Sequence, residues 1–250
     1  MLNSVVAFIS VFTAVVLVHE LGHFIAARRS GVKVYEFSIG FPFSPCLCTL
    51  FRHRETSFTL RLLPLGGFVR FSKDEEDEAK DLFEASHIKR ALIMSAGSFF
   101  NMVFAFLVFI PVFVFGQDLP FLHALSVSAK TLWEILSGTV VFLLNLLLGS
   151  GGMEGLSGPV GIAIMAGKAA SRGFLDLFYF TGVLSMSLGI MNLFPLPGLD
   201  GGQLLMLLME TIRRKPLGIG THQAFNLLGF GLFVVLTVLV TYRDIVKLMV

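Results

Sequence analysis

The sequence has few charged residues and many apolar ones. Only 14% of its 250 residues are charged and 55% are hydrophobic, with a mean hydropathy of +0.82. A soluble domain usually carries about 25% charged residues. The composition therefore indicates an integral membrane protein whose main partner is the lipid bilayer. The net charge of +2 is too small to attract nucleic acid, and we expect no nucleic-acid partner.

Cysteine is scarce as well. Cys46 and Cys48 are the only two, and their C-x-C spacing matches no standard zinc or redox template. We expect two reduced thiols in a loop. The N-terminus also lacks the basic segment and the small-residue cleavage site of a secretory signal peptide. The first apolar segment is therefore expected to remain in the protein as a helix.

Long apolar runs are abundant. A transmembrane helix needs ~20 mostly apolar residues. The sequence predicts an α-helical integral membrane protein with about four such helices, at 5–27, 91–115, 174–199 and 224–242. A further apolar run at 132–148 we predict to be an interfacial or re-entrant helix. If that run spanned the membrane instead, every later helix would reverse its direction and Asp200 would leave the side on which His23 lies.

Basic residues are concentrated in two of the predicted loops. They are frequent between the first and second helices, and Arg213, Arg214 and Lys215 lie between the third and fourth. Basic residues favour the cytoplasmic side of a membrane. The pattern predicts a multi-pass protein of the cell (inner) membrane, with both termini outside and the first and third loops inside.

Residues 34–71 do not follow a helical pattern. Segments such as "YEFSIGF" and "TSFTLRLLPLGGFVRF" are rich in β-formers and are interrupted by glycine and proline. They predict a membrane-associated β-hairpin or small sheet between helices one and two, on the cytoplasmic face. We expect one domain over residues 1–250.

The first predicted helix contains the sequence "LVHELGHF", in which His19, Glu20 and His23 form H-E-x-x-H. Each ionisable group costs roughly 2.5 kcal/mol or more to insert in an apolar helix. Histidines at i and i+4 lie on one face of a helix and can bind one Zn²⁺, with the glutamate beside its open position. The motif predicts hydrolysis in which Glu20 is the general base. A structural histidine pair is the alternative.

Zinc needs a third protein ligand, and Asp200 is the best candidate. It follows "NLFPLPGL" at the inner end of the third predicted helix, where Pro195 and Pro197 break the helix and make room for a site. On its own, Asp200 could equally cap the turn formed with Gly201 and Gly202. The remaining histidines lie outside any supporting motif. We expect solvent-facing roles for His53, His87 and His123, and no special role for His222, which precedes the fourth predicted helix.

Several segments together resemble the site-2 protease family of intramembrane zinc metalloproteases, and most closely its bacterial regulator-of-sigma-E protease type. In the family's order they are "HELGHF" (19–24), "RSGVKVYEFSIGF" (29–41), "LLPLGGFVRF" (62–71), "AGSFFN" (96–101), "LSGPVGIA" (156–163) and "NLFPLPGLDGG" (192–202). The resemblance implies one zinc per chain, bound by His19, His23 and Asp200, with Glu20 as the catalytic base. It also places Asn101 in a G-x-x-x-N pattern, either near the substrate or in hydrogen bonding between helices.

One feature departs from that family type. Its members carry one or two PDZ domains between the second and third helices, whereas residues 116–157 are too few for a PDZ fold beside the apolar run. We expect no PDZ domain, so substrate choice must depend on other features.

The expected reaction is hydrolysis of peptide bonds within or near transmembrane segments, in membrane proteins or in signal-peptide remnants. Thr59 and Arg61 on the predicted hairpin are expected to help capture an unwound substrate as an added strand. Asn101 and Asn192 are expected to help position it. A non-hydrolytic metal-binding membrane protein, such as a zinc carrier, is the alternative. A charged pathway through several helices would favour that alternative, but helices two and four contain no acidic residue or histidine. An inactive scaffold would not need an intact H-E-x-x-H.

Overall fold

The computed structural model describes residues 2–42, 44–63, 66–72, 80–150 and 155–249. In chain order its elements are α1 (Leu2–Ser30), β1 (Glu36–Ile39), β2 (Cys46–His53), β3 (Thr56–Arg61), β4 (Gly67–Arg70), α2 (Lys80–Phe83), α3 (His87–Gly116), α4 (Phe121–Leu147), α5 (Pro159–Arg172), α6 (Phe174–Asn192), α7 (Asp200–Arg213) and α8 (Ile219–Met249).

Five helices are long and apolar enough to cross a membrane: α1, α3, α4, α6 and α8. The predicted count of four is therefore wrong, because the run at 132–148 belongs to a helix that begins at Phe121. Polar residues along this helix concealed it in the sequence. Ser126 and Ser137 donate hydrogen bonds to the carbonyls of His123 and Trp133, while Lys130 pairs with Glu134. Side chains that bond within their own helix lower the cost of placing it in an apolar layer.

Three of these helices form the centre of the bundle, and α3 runs antiparallel to both others. Gly22 of α1 lies against Ala96 and Gly97 of α3, where a β-carbon at Gly22 would lie 2.5 Å from the Ala96 carbonyl oxygen. On the other side, Gly182 of α6 packs on Phe109 and Gly189 packs on the Ser98 carbonyl. Small residues at these crossings let the helix backbones approach closely.

The segment between α3 and α6 leaves the end of the bundle at which α3 stops and then returns to it. α3 and α4 form a hairpin that packs on α6, where Phe109 and Phe113 of α3 share a core with Ala124 of α4 and with Met186 and Ile190 of α6. After α4, α5 returns the chain, since its Gly167 lies against Ser4 at the start of α1. α6 therefore starts beside the end of α3. The expectation that a membrane-spanning run at 132–148 would move Asp200 away from His23 did not include this return, and Asp200 lies beside His23.

The third predicted helix also ends early. α6 stops at Asn192, the chain turns through 193–199, and α7 begins at Asp200. Pro195 and Pro197 explain the break, since proline lacks the backbone N–H that continues a helix. This turn places Asp200 at a helix start.

The predicted β-rich region forms a four-stranded sheet in the order β2-β3-β1-β4. β1 is parallel to β3, whereas the β2–β3 and β1–β4 pairs are antiparallel. Phe24 of α1 packs against Phe37 and Phe58, with ring centroids 5.6 and 5.8 Å away. This aromatic contact fixes the sheet to the end of α1, so that β4 lies along the helix that carries H-E-x-x-H.

The topology can be tested with single cysteines in a background that lacks Cys46 and Cys48. Labels at Gln117 and Ser171 should react from outside the cell, and labels at Ser150 and Lys215 from the cytoplasm. Ser150 is decisive because it follows α4 directly. A Ser150 label that reacts from outside would show that α4 does not cross the membrane.

Candidate metal centre

His19 and His23 lie one helical turn apart on α1, and both are buried. The Nδ1–H of His23 donates to the carbonyl oxygen of Ile93 on α3 at 2.7 Å. That bond fixes the tautomer of the ring and leaves Nε2 with a free lone pair. A β-carbon at position 97 would lie 2.5 Å from this Nε2. Gly97 therefore provides the space that the two imidazoles occupy.

The His19 ring has a corresponding neighbour on α3. The side-chain amide of Asn101 lies 3.5 Å from His19 Nδ1, and Asn101 is fully buried. With the amide turned so that its oxygen faces the ring, Asn101 accepts the Nδ1–H of His19. The buried amide oxygen, which otherwise has no donor, then gains one. His19 Nε2 is thereby left with a free lone pair as well.

Asp200 completes the group from the first turn of α7. Its Oδ2 lies 3.1 Å from His19 Nε2 and 3.3 Å from His23 Nε2, and the two Nε2 atoms are 3.1 Å apart. Gly201 and Gly202 allow this approach, because a β-carbon at either position would collide with the carbonyls of Leu193, Phe194 or Leu196. The turn after α6 therefore supports the carboxylate from behind.

The three atoms fit one metal ion. In a tetrahedral zinc site with bonds of about 2.0–2.1 Å, neighbouring ligand atoms lie about 3.3 Å apart. The observed separations of 3.1–3.3 Å match this spacing. Asp200 Oδ2 is buried without a hydrogen-bond donor, and the Nε2 atoms of both imidazoles lie within 3.3 Å of it. Across the described residues, this is the one group of three or more such side chains with metal-ligand spacing.

Glu20 faces the same cavity as the three ligands. The cavity has a volume of about 380 Å³ and is lined by His19, Glu20, His23, Asn192 and Asp200, with Phe68 and Val69 from β4. A β-carbon at Gly67 would lie 3.3 Å from Glu20 Cγ. β4 therefore lies directly against the catalytic side chain predicted from the sequence.

A profile of Peptidase family M50 matches residues 7–236. The chain belongs to this family. Among similar proteins, an inferred zinc metalloprotease of Clostridium perfringens is 29% identical over 325 aligned positions, with 94% of this chain and 96% of the relative covered. The zinc metalloprotease RasP of Geobacillus kaustophilus is 25% identical over 421 positions, with 98% of both proteins covered. RasP of Shouchella clausii is 23% identical, with 99% of this chain and all of the relative covered.

The other side chains predicted for this M50 peptidase lie in different places. Asn192 lines the cavity, with its amide nitrogen 3.4 Å from His19 Nε2. Asn101 lies behind His19 and outside the lining of the cavity. The histidines outside the motif do not join the metal group within the described residues.

Thr59 and Arg61 stabilise the sheet. Thr59 donates a 2.7 Å hydrogen bond to Glu36, and Arg61 forms a 3.0 Å ion pair with the same carboxylate. Their strand, β3, is paired with β2 on one side and with β1 on the other. The prediction that this strand offers a free edge is therefore wrong. In the described part of the chain, the edge strand beside the metal ligands is β4.

Two further features, a larger cavity and a buried ionic cluster, are not predicted by the sequence motifs. The cavity measures about 670 Å³ and is lined by Asp200 and by residues of β4, α2, α3, α7 and α8. Beside it, Glu210 of α7 contacts both Arg90 of α3 and His222 of α8. Because these residues are up to 132 positions apart along the chain, no local sequence pattern predicts that they meet.

From this metal site we expect one zinc ion per chain. Purified protein should contain close to one zinc per chain, measured by elemental analysis. His19→Ala or His23→Ala should lose most of it, because two ligands do not complete a tetrahedral site. Asp200→Ala should lose much of it for the same reason.

The matched control is His123→Ala, which removes an exposed histidine on α4 and should leave the zinc content unchanged. Full zinc content in Asp200→Ala would instead assign the third ligand to another residue, with His53 and His87 next to be replaced.

Proposed function

We propose that this M50 peptidase is an intramembrane zinc metalloprotease that hydrolyses peptide bonds within or near transmembrane segments. The observation that carries the proposal is the convergence of His19, His23 and Asp200 at zinc spacing, with Glu20 in the same cavity. His19 lies 11 residues before the end of α1, which is about 16 Å along the helix axis. The reacting centre therefore lies within the bundle, below the level of the helix end.

The chemistry divides between the metal and the protein. Zinc held in such a site activates water and polarises a carbonyl group. Glu20 accepts the proton of the attacking water and delivers it to the leaving amine. Asn192 lines the cavity beside His19 and can donate its amide N–H groups to the substrate carbonyl. Asn101 acts behind His19, by fixing the orientation of the ring.

The substrate must be extended before it can be cut, because the peptide bonds of a helix are already hydrogen-bonded. We assign its capture to β4. Gly40 N–H donates to the Gly66 carbonyl and Tyr35 N–H donates to the Arg70 carbonyl, so the even-numbered residues of β4 face β1. Strand alternation then directs the backbone groups of Gly67 and Val69 toward the outer edge. An unwound substrate can pair there as an added strand.

This arrangement favours proteolysis over metal transport. The zinc carrier considered from the sequence would have no use for a general base or for an open strand edge beside the ligands. Membership of a peptidase family agrees with hydrolysis. From the basic loops we infer that the active site lies toward the cytoplasmic side, with both termini outside. Single-pass membrane proteins and signal-peptide remnants fit this geometry as substrates.

The chain acts as one domain without a PDZ module. Its alignment to RasP of Geobacillus kaustophilus extends over 421 positions, more than the 250 residues present here. That relative therefore carries residues for which this chain has no counterpart. Selection of substrates here depends on the membrane domain itself.

Catalysis and metal binding should separate at Glu20. Glu20→Gln keeps the side-chain shape and removes the base, so cleavage of a transmembrane peptide should fall at least ~10²-fold. Zinc content should stay close to one per chain. Glu55→Gln, on the exposed turn between β2 and β3, is the control and should cleave normally. Normal cleavage by Glu20→Gln would reject the proposed mechanism.

Strand addition predicts that one backbone N–H matters more than the side chain that it carries. Val69→Pro removes an outward N–H without removing a bond to β1, so the sheet should persist. Cleavage should fall at least about tenfold, since the ladder to the substrate loses a hydrogen bond and its local geometry. Zinc content and membrane insertion should not change.

Val69→Ala is the matched control, because it shortens the side chain and keeps the N–H. It should retain most of the activity. Equal cleavage by Val69→Pro and Val69→Ala would show that the edge of β4 does not bind the substrate backbone.

A further inference from the structure

Three helices meet at one buried carboxylate. Glu210 near the end of α7 is only 2% exposed, and its partners Arg90 of α3 and His222 of α8 are 6% and 5% exposed. Arg90 Nη1 lies 2.6 Å from one carboxylate oxygen, and His222 Nε2 lies 3.1 Å from the other. The N–H of Leu217 in the α7–α8 turn also donates to this carboxylate at 3.0 Å. We call these three side chains the Glu210 cluster.

The cluster keeps its charge although it is removed from water. Burial on its own raises the pKa of Glu210, but the hydrogen bonds from Leu217, His222 and Arg90 outweigh it and hold the pKa below its ordinary value. The carboxylate is therefore ionised and directly paired with the Arg90 cation. Such a pair tolerates little displacement, because breaking it would leave a buried charge alone.

The cluster lies at one end of α7, and the metal ligand lies at the other. Asp200 is the first residue of α7, and Glu210 follows about 15 Å further along the helix axis. The Asp200 end is fixed by the contact of Gly201 and Gly202 with the preceding turn. The Glu210 cluster fixes the opposite end. Both ends of the helix that carries the third ligand are thus held.

The anchor on α3 is equally close to the histidines. Arg90 is one turn before Ile93, whose carbonyl accepts the Nδ1–H of His23. One short stretch of α3 therefore orients a histidine ligand and also binds α7, the helix that carries the aspartate ligand. His222 extends the link to α8, and its side chain lines the larger cavity beside Asp200.

We propose that Glu210 is a positioning residue for the metal centre, which sets the place of Asp200 relative to His19 and His23 by tying α7 to α3. It touches neither the ligands nor the cavity around them. The catalytic part of this proposal rests on the proposed protease function, whereas its metal-binding part does not.

The test compares four full-length proteins in detergent: wild type, Glu210→Gln, the double variant Arg90→Met/Glu210→Gln, and Glu134→Gln. The single variant leaves Arg90 as a buried unpaired cation. The double variant removes both charges, while the glutamine can still accept from Leu217 and His222, so its folding stability should recover. Glu134→Gln is the matched control, because its carboxylate pairs with Lys130 at 3.8 Å on an exposed face.

Three quantities are measured for each protein: the zinc dissociation constant by chelator competition, the unfolding temperature, and kcat and KM on a transmembrane peptide. Both cluster variants should bind zinc at least about tenfold more weakly, and kcat should fall by a similar factor. KM should change little, since the substrate edge is untouched. The double variant should nevertheless unfold near the wild-type temperature, and Glu134→Gln should match the wild type throughout.

Two results would overturn the proposal. One is wild-type zinc affinity in the double variant. The other is a loss of affinity that appears only in a protein whose unfolding temperature has also fallen, because the cluster would then stabilise the fold and nothing more. If the wild type bound zinc but cleaved no peptide, the protease function would fail, and the zinc constants would still decide the role of Glu210.

Discussion

The structure depends on the close approach of three electron-pair donors inside an apolar bundle. His19, His23 and Asp200 place their ligand atoms 3.1–3.3 Å from one another, so two imidazole nitrogens and a carboxylate oxygen crowd one small volume. Such a group is costly in a low-dielectric setting unless a cation lies between its members. Bound zinc would convert this unfavourable arrangement into a stabilising one, and would couple folding of the centre to metal binding.

One face of α3 organises that centre. Three residues of α3 at helical spacing contact the histidines. Ile93 contacts His23, Gly97 lies against both histidine rings, and Asn101 lies beside His19. A carbonyl acceptor, a space left by glycine and an amide group therefore all lie on one face of the same helix. Because α3 crosses α1 in an antiparallel direction at small residues, this face of α3 comes within hydrogen-bond distance of the two histidines. A change in the crossing would disturb both histidines together.

The sequence predicts the parts of this site that depend on local spacing. The i, i+4 histidines need only a helix, and the prolines before Asp200 require the break that precedes α7. The extent of α4 was not predictable in the same way, because its serines looked polar while they bond to their own backbone. The choice of edge strand failed for a different reason. β3 and β4 both combine β-forming residues with a final arginine, and only the pairing of β1 between them decides which one is free. Contacts such as Arg90 with Glu210 join residues 120 positions apart, so no local periodicity reports them.

An open strand edge beside a membrane-embedded site has a consequence for substrate choice. Backbone N–H and C=O groups are costly in an apolar layer when they lack partners, so the edge of β4 favours any chain that can supply them. A substrate captured there as an added strand would satisfy both backbones whatever side chains it carries. Discrimination must then come mainly from the free energy needed to unwind the substrate helix near the cut. Helices that contain glycine, proline or asparagine at that depth unwind at lower cost. Given capture at β4, helix instability rather than a side-chain code would determine which transmembrane segments are cut.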